Sequence, residues 1–134
     1  RKSENCINTM IRKKTIAALR PEIPSIERLI GMTDVEKFQN DVIRPILKYQ
    51  HDVIVGYAVS KAVDRNSKFP NLIAIEKERY LDKVTLKDSK IKQALNGMVI
   101  GLMTLEEMNK YLAIESEYNR RINTMIRKRI VSTF

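Results

Sequence analysis

The segment Thr33–Asp64, TDVEKFQNDVIRPILKYQHDVIVGYAVSKAVD, decides the fold class of this 134-residue chain. Its spacing predicts one helix of about 30 residues, roughly 45 Å long at 1.5 Å per residue. Thr33 followed by Glu36 has the spacing of a capping box, and Asp34 adds negative charge at the helix's positive end. At about 100° per residue, Val35, Phe38, Val42, Ile46, Tyr49 and Val53 fall on one stripe. Ile43, Leu47 and Ile54 form its shoulder, and Lys37, Arg44, Lys48 and His51 lie opposite.

From Val53 onward the polar face fades, because Val55, Val59 and Ala62 take the angles that cations held earlier. A helix apolar all round is buried all round. The segment Val53–Val63 is therefore expected in the core or against another chain. Clustered β-branched residues also suit a strand over IVGYAV, but no turn signal separates that run from the helical pattern before it. Pro45 has no N–H for the preceding turn and crowds it, so a kink is expected near residues 41–44.

The flanking sequence extends the helical reading. A first helix is expected over residues 3–19, with Cys6, Ile7, Met10, Ile11, Ala17 and Ala18 at helical spacing, ended by Pro21 and Pro24. Ser25 can cap a short helix IERLI, closed by Gly31. After a loop at Asn66–Pro70, Asn71 is a candidate cap for LIAIEKERYLDKV, and Asp88 for KIKQALNGMVIG. Gly97 and Gly101 share one face and permit close backbone approach. Thr104 and Glu107 repeat the capping-box spacing before a last helix from Leu105 to the C-terminus, its inner face marked by Leu105, Met108, Leu112, Ile122, Met125 and Ile126, with Tyr118 able to join it. The expectation is an all-α, single-domain bundle over residues 1–134, with five or six helices around one long, Pro-kinked helix.

Composition bounds the function. Hydrophobic residues make up 43% and charged residues 31%, ordinary for one folded core. The lone Cys6 cannot form an intrachain disulfide; it reads as a buried, inert thiol in a reducing, cytoplasmic setting. No apolar run reaches the ~18 residues of a membrane span. The single histidine, His51, lies on a polar face and reads as solvated; neither HExxH, ExxH, GxSxG, a P-loop nor GxGxxG is present. No cofactor or metal is indicated, and scattered carboxylates leave only a metal-independent enzyme as a catalytic possibility.

The net charge of +9 sits at the ends: residues 1–20 and 119–134 each carry +5, leaving −1 between them. Arg12, Lys13, Lys14, Arg120, Arg121, Arg127, Lys128 and Arg129 are thus candidate contacts for a nucleic acid or other polyanion. Phe134 is the only aromatic residue in either basic end, and no helix-turn-helix signal is visible. The heptapeptide INTMIRK occurs at Ile7–Lys13 and again at Ile122–Lys128; side by side, the two helices would pool their cations. Val55, Val59, Gly97 and Gly101 are candidate helix-packing or oligomer contacts, most simply in a two-fold homodimer.

FQNDVIRPILKYQHD at Phe38–Asp52 and LNGMVIGLMTLEEMNKY at Leu95–Tyr111 together resemble a family of small, all-helical, uncharacterised bacterial proteins, some labelled glyoxalase-related. The resemblance runs from Phe38 to the C-terminus and implies a helical fold. It supplies no catalytic residues. The metalloenzyme behind that label resembles a βαβββ fold with His and Glu ligands, whereas this chain has one His and no alternating strand run.

Overall fold

In the computed structural model, which describes residues 2–20 and 32–134, the chain is all-helical, with no strand among the described residues. The elements are α1 (Lys2–Leu19), α2 (Asp34–Phe38), a π-turn (Gln39–Ile43), α3 (Arg44–Tyr49), α4 (His51–Arg65), α5 (Ala74–Lys83), α6 (Ser89–Ile100), α7 (Leu105–Ala113) and α8 (Glu115–Val131). Short 3₁₀ turns cover Phe69–Asn71 and Thr85–Lys87. The short helix expected around IERLI, and its flanking prolines, lie outside the described residues.

The segments outnumber the five or six expected because two runs read as continuous are interrupted. The first is the long helix. The Thr33 hydroxyl accepts from the Glu36 N–H at 3.1 Å, as the cap spacing predicts. At Gln39–Ile43 the helix widens, and the Arg44 N–H reaches back five residues to the Gln39 carbonyl. A π-turn accommodates the missing Pro45 N–H and makes room for the ring that would crowd an α-turn. The true interruption falls later, at Gln50 (φ −89°, ψ 5°), whose side-chain amide donates to the Met98 carbonyl at 3.1 Å.

The π-turn also changes which side is buried. It places one extra residue in the turn, so the inward stripe passes from Phe38 and Val42 to Ile43, Ile46 and Leu47, then to Ile54, Ala58 and Ala62. Val53, expected inside, is 55% exposed, and Tyr49 is exposed beside it. The expectation of a segment buried on every side is therefore corrected: Val53, Gly56, Ser60 and Asp64 give α4 a solvent face. Val55 and Val59 are half-buried against the chain's own core.

The second interruption is Ile114 (φ −138°, ψ 53°), which divides the expected last helix into α7 and α8. The bend turns Leu105 and Leu112 outward and brings Tyr111 inward in their place. The Tyr111 ring stacks near Tyr118 (centroids 6.3 Å apart), and its hydroxyl donates to Asn119 Oδ1, which also accepts from Asn96 Nδ2 at 3.1 Å. A buried phenol with a hydrogen-bond partner avoids the cost of stranding a polar group. Beyond the bend, α8 buries Tyr118, Ile122, Ile126 and Ile130 at four-residue spacing.

The core lies where α4, α5, α6 and α8 pack together. Ala58 and Ala62, fully buried, let the neighbouring helices approach α4 closely, and Leu81, Leu95, Val99 and Ile122 fill the interior. Asp88 caps α6 as expected, its Oδ1 accepting from the Lys90 and Ile91 N–H groups at 2.9 and 3.0 Å. Asn71 does not cap α5; it lies within the 3₁₀ turn anchored by buried Phe69, and Ile73 precedes the helix without a side-chain cap.

The bend at Ile114 predicts unequal costs for two leucine-sized residues that the straight-helix reading treats alike. Ile122→Ala should destabilise by about 2–5 kcal/mol, whereas Leu112→Ala should stay within about 0.5 kcal/mol. Urea unfolding of both variants measures the difference.

Candidate functional site

Among the described residues, Arg65 pairs with Asp88 to join α4 to the α6 cap, and three larger regions bring charged side chains from distant elements together. The first fastens α1. Arg12 donates from Nε to the Met103 carbonyl at 3.2 Å and from Nη2 to the Gly101 carbonyl at 2.6 Å. These carbonyls follow α6, where the final turn of a helix leaves acceptors without partners and carries partial negative charge. Arg20 donates to the Leu102 carbonyl at 2.7 Å and forms a fork on both Glu107 carboxylate oxygens. Glu107 simultaneously completes the α7 capping box, accepting from the Thr104 N–H at 2.9 Å while its own N–H donates to the Thr104 hydroxyl. One carboxylate thus ties the start of α7 to the end of α1.

Of the side chains described on α1, only Ile16 is buried. Beside it a cleft of about 860 Å³ opens between α1, the start of the long helical run and the α7–α8 bend, with Arg20, Phe38, Val42, Ile114 and Tyr118 among its walls. Burial, then the charge of Asp34, pushes the Tyr118 phenol above its usual range. The cleft mixes Asp34 and Glu106 with Lys13, Lys37 and Lys110. It contains no histidine, cysteine or serine among its described walls.

The second region is a pocket of about 140 Å³ bordered by Asp82, Lys87, Lys92, Asn123 and Arg127. Arg127 Nε donates to Asp82, and this bond, with nearby Arg127, Lys83 and Lys87 charge, holds the carboxyl below the usual range despite some burial. The pocket's arginine is therefore already neutralised. Further along α8, Arg120 and Arg121 share Glu117 at 2.8 and 2.9 Å, and Arg121 also donates to Gln39 Oε1.

The third region joins α3, α4 and α8. Arg129 Nη1 lies 3.3 Å from His51 Nδ1. Burial, then repulsion from Arg44, lowers the Arg129 pKa from its ordinary value. His51 is accordingly not a freely solvated side chain, as its position on the polar face predicts, but the neighbour of an arginine 78 residues away.

The sequence-predicted cations thus divide into separate groups rather than one patch. Arg12 serves the α6–α7 turn, Arg120 and Arg121 serve Glu117, Arg127 serves Asp82, and Arg129 faces His51, while Lys13, Lys14 and Lys128 are exposed. Cys6, expected to be buried, is exposed. Gly97 is exposed, and a Cβ there would meet nothing within 4 Å, so it makes no close helix contact within the chain. At Gly101 an added Cβ would lie 2.9 Å from the Gly97 carbonyl oxygen, and the Gly101 carbonyl itself receives Arg12. Arg20 was not singled out by sequence; its position just before Pro21 gives no hint of a partner 87 residues away.

Among the described residues, no three His, Cys, Asp or Glu side chains are grouped to hold a metal ion. Nor is any helix long and apolar enough to cross a membrane. Comparison with family models, curated proteins and solved structures returns no match to this chain.

The α1 fastening carries a pH dependence. Burial alone would raise the Glu107 pKa, but hydrogen bonds from Arg20 and the Thr104 N–H, together with Arg20 charge, bring it below its ordinary value. A carboxyl depressed on folding contributes stability that is present above its unfolded pKa of about 4.3 and lost as pH falls through the folded value. Urea unfolding between pH 7 and pH ~3 should therefore show a steeper acid loss for the wild type than for Glu107→Gln; equal slopes would contradict the assignment.

Proposed function

We propose that this protein acts through self-assembly, as a structural or interaction protein whose α1 helix packs against a second copy. The observation that supports this reading is the outward face of α1. Ile7, Met10 and Ile11 are 55%, 59% and 57% exposed, on one side of a helix held by Arg12, Ile16 and Arg20. Three large apolar side chains in one stretch form a patch of the kind that marks an interaction surface.

The chain's own repeat indicates the kind of partner. In α8 the second INTMIRK copy buries Ile122 and Ile126 against neighbouring helices, with Met125 half-buried. The same apolar positions in α1 therefore form a seam already suited to helix packing. With the two-fold axis perpendicular to the helices, the two α1 helices would pair antiparallel, which moves their Arg12–Lys14 clusters apart while joining their isoleucines. Val55 and Val59, engaged in the chain's own core, contribute less to such an interface than the α1 stripe. The reducing, cytoplasmic setting suggested by a single cysteine fits an exposed thiol at Cys6.

Sedimentation equilibrium at micromolar concentration tests the reading. Wild-type protein should sediment as a dimer, and Ile7→Lys/Ile11→Lys should sediment as a monomer with unchanged helical circular dichroism. A monomeric wild type, or a dimer indifferent to both substitutions, would overturn it.

A further inference from the structure

We propose that Arg44, Lys48, His51 and Arg129 form a binding site for a phosphate group. The inference does not depend on self-association. Arg44 and Lys48 stand one turn apart on α3, and His51 opens α4 just beyond the interruption at Gln50. Arg129 comes from the last turn of α8 and meets His51 at 3.3 Å. Arg129 thus meets His51 and lies near Arg44, and Lys48 stands one turn beyond Arg44 on the same face of α3.

The protonation pattern follows from donor chemistry. A guanidinium has no acceptor, so Arg129 Nη1 must donate and His51 Nδ1 must accept. With Nδ1 engaged by Arg129, Nε2 is the ring nitrogen left to donate to a ligand. Arg129 gains a hydrogen bond from this contact but no counter-charge.

What distinguishes this cluster from the five arginines that pair with acids is that two arginines lie near each other with no carboxylate bonded to either among the described residues. Arg20 has Glu107, Arg65 has Asp88, Arg120 and Arg121 have Glu117, and Arg127 has Asp82. The contact of Arg44 is the neutral Asn40 Oδ1 at a long 3.5 Å. Arg129 is half-buried, and its geometry places one cation where another repels it. Half-burying an arginine near another arginine, with no acid, costs free energy that a bound anion would offset.

Phosphate fits this set better than a carboxylate. One guanidinium matches a carboxylate's single charge, whereas a phosphate offers oxygens in several directions and carries up to two charges. Arg44 and Arg129 can approach such a group from α3 and α8, with Lys48 and His51 Nε2 supplying further donors. The group could belong to a small phosphomonoester or to a nucleic-acid backbone, and the chemistry of recognition is shared.

Calorimetric titration of the full chain in low-salt chloride buffer, with inorganic phosphate and separately with a short DNA duplex, provides the test. The proposal expects saturable binding of at least one probe, weakened roughly tenfold or more by exposed-site variants Arg44→Ala and Lys48→Ala. Arg129→Ala should weaken it too, while Lys83→Ala and Lys92→Ala, at the Asp82 pocket, should leave it unchanged. Phosphate binding alone assigns a small ligand. Tighter duplex binding, with a steep loss at higher salt and the same variant sensitivity, assigns a nucleic-acid backbone. No binding of either probe, or binding indifferent to Arg44→Ala and Lys48→Ala, overturns the site.

Discussion

A proline without an N–H, placed inside a helix that must bury its far half, constrains everything else in this molecule. Pro45 follows a turn whose backbone bonds span five residues instead of four, and that one-residue excess rotates the apolar stripe. Ile54, Ala58 and Ala62 consequently face the interior, and their small or branched side chains set how closely α5, α6 and α8 pack around α4. Because α4 is the common neighbour of these helices, its rotation decides the position of the His51 ring and therefore the meeting with Arg129.

Charged side chains do the fastening outside that core. The α6–α7 turn presents carbonyls that a helix end leaves unpaired, and Arg12 and Arg20 meet them from α1. Glu107 links this arrangement to the α7 cap. The result is a helix fixed along one side, with Ile7, Met10 and Ile11 exposed on the other. Elsewhere five arginines are matched with acids and Arg12 with backbone carbonyls, whereas Arg44 and Arg129 have neutral side-chain contacts and lie near each other.

The helical class was legible because caps and periodicity are local. Thr33, Asp88 and Thr104 each mark a helix start through a side chain that bonds the backbone two or three residues on. Face assignment was less legible. A π-turn has no composition signature beyond the nearby proline, and counting at 100° per residue across it places Val53 inside and Ile54 at the shoulder. The bend at Ile114 was invisible for a related reason: no glycine or proline marks it, and the choice between Leu112 and Tyr111 rests on Asn96 and Asn119 being available to the phenol. The contacts of Arg12, Arg20 and Arg129 span 91, 87 and 78 residues, beyond any local pattern.

Thiol accessibility gives the most direct test of the rotated helix. In a background where exposed Cys6 is replaced by serine, Val53→Cys and Ile54→Cys place the reporter on adjacent residues. Labelling of native protein with a maleimide should be rapid at position 53 and strongly protected at position 54. Protection at 53 with rapid labelling at 54 would contradict the account and restore the unrotated stripe.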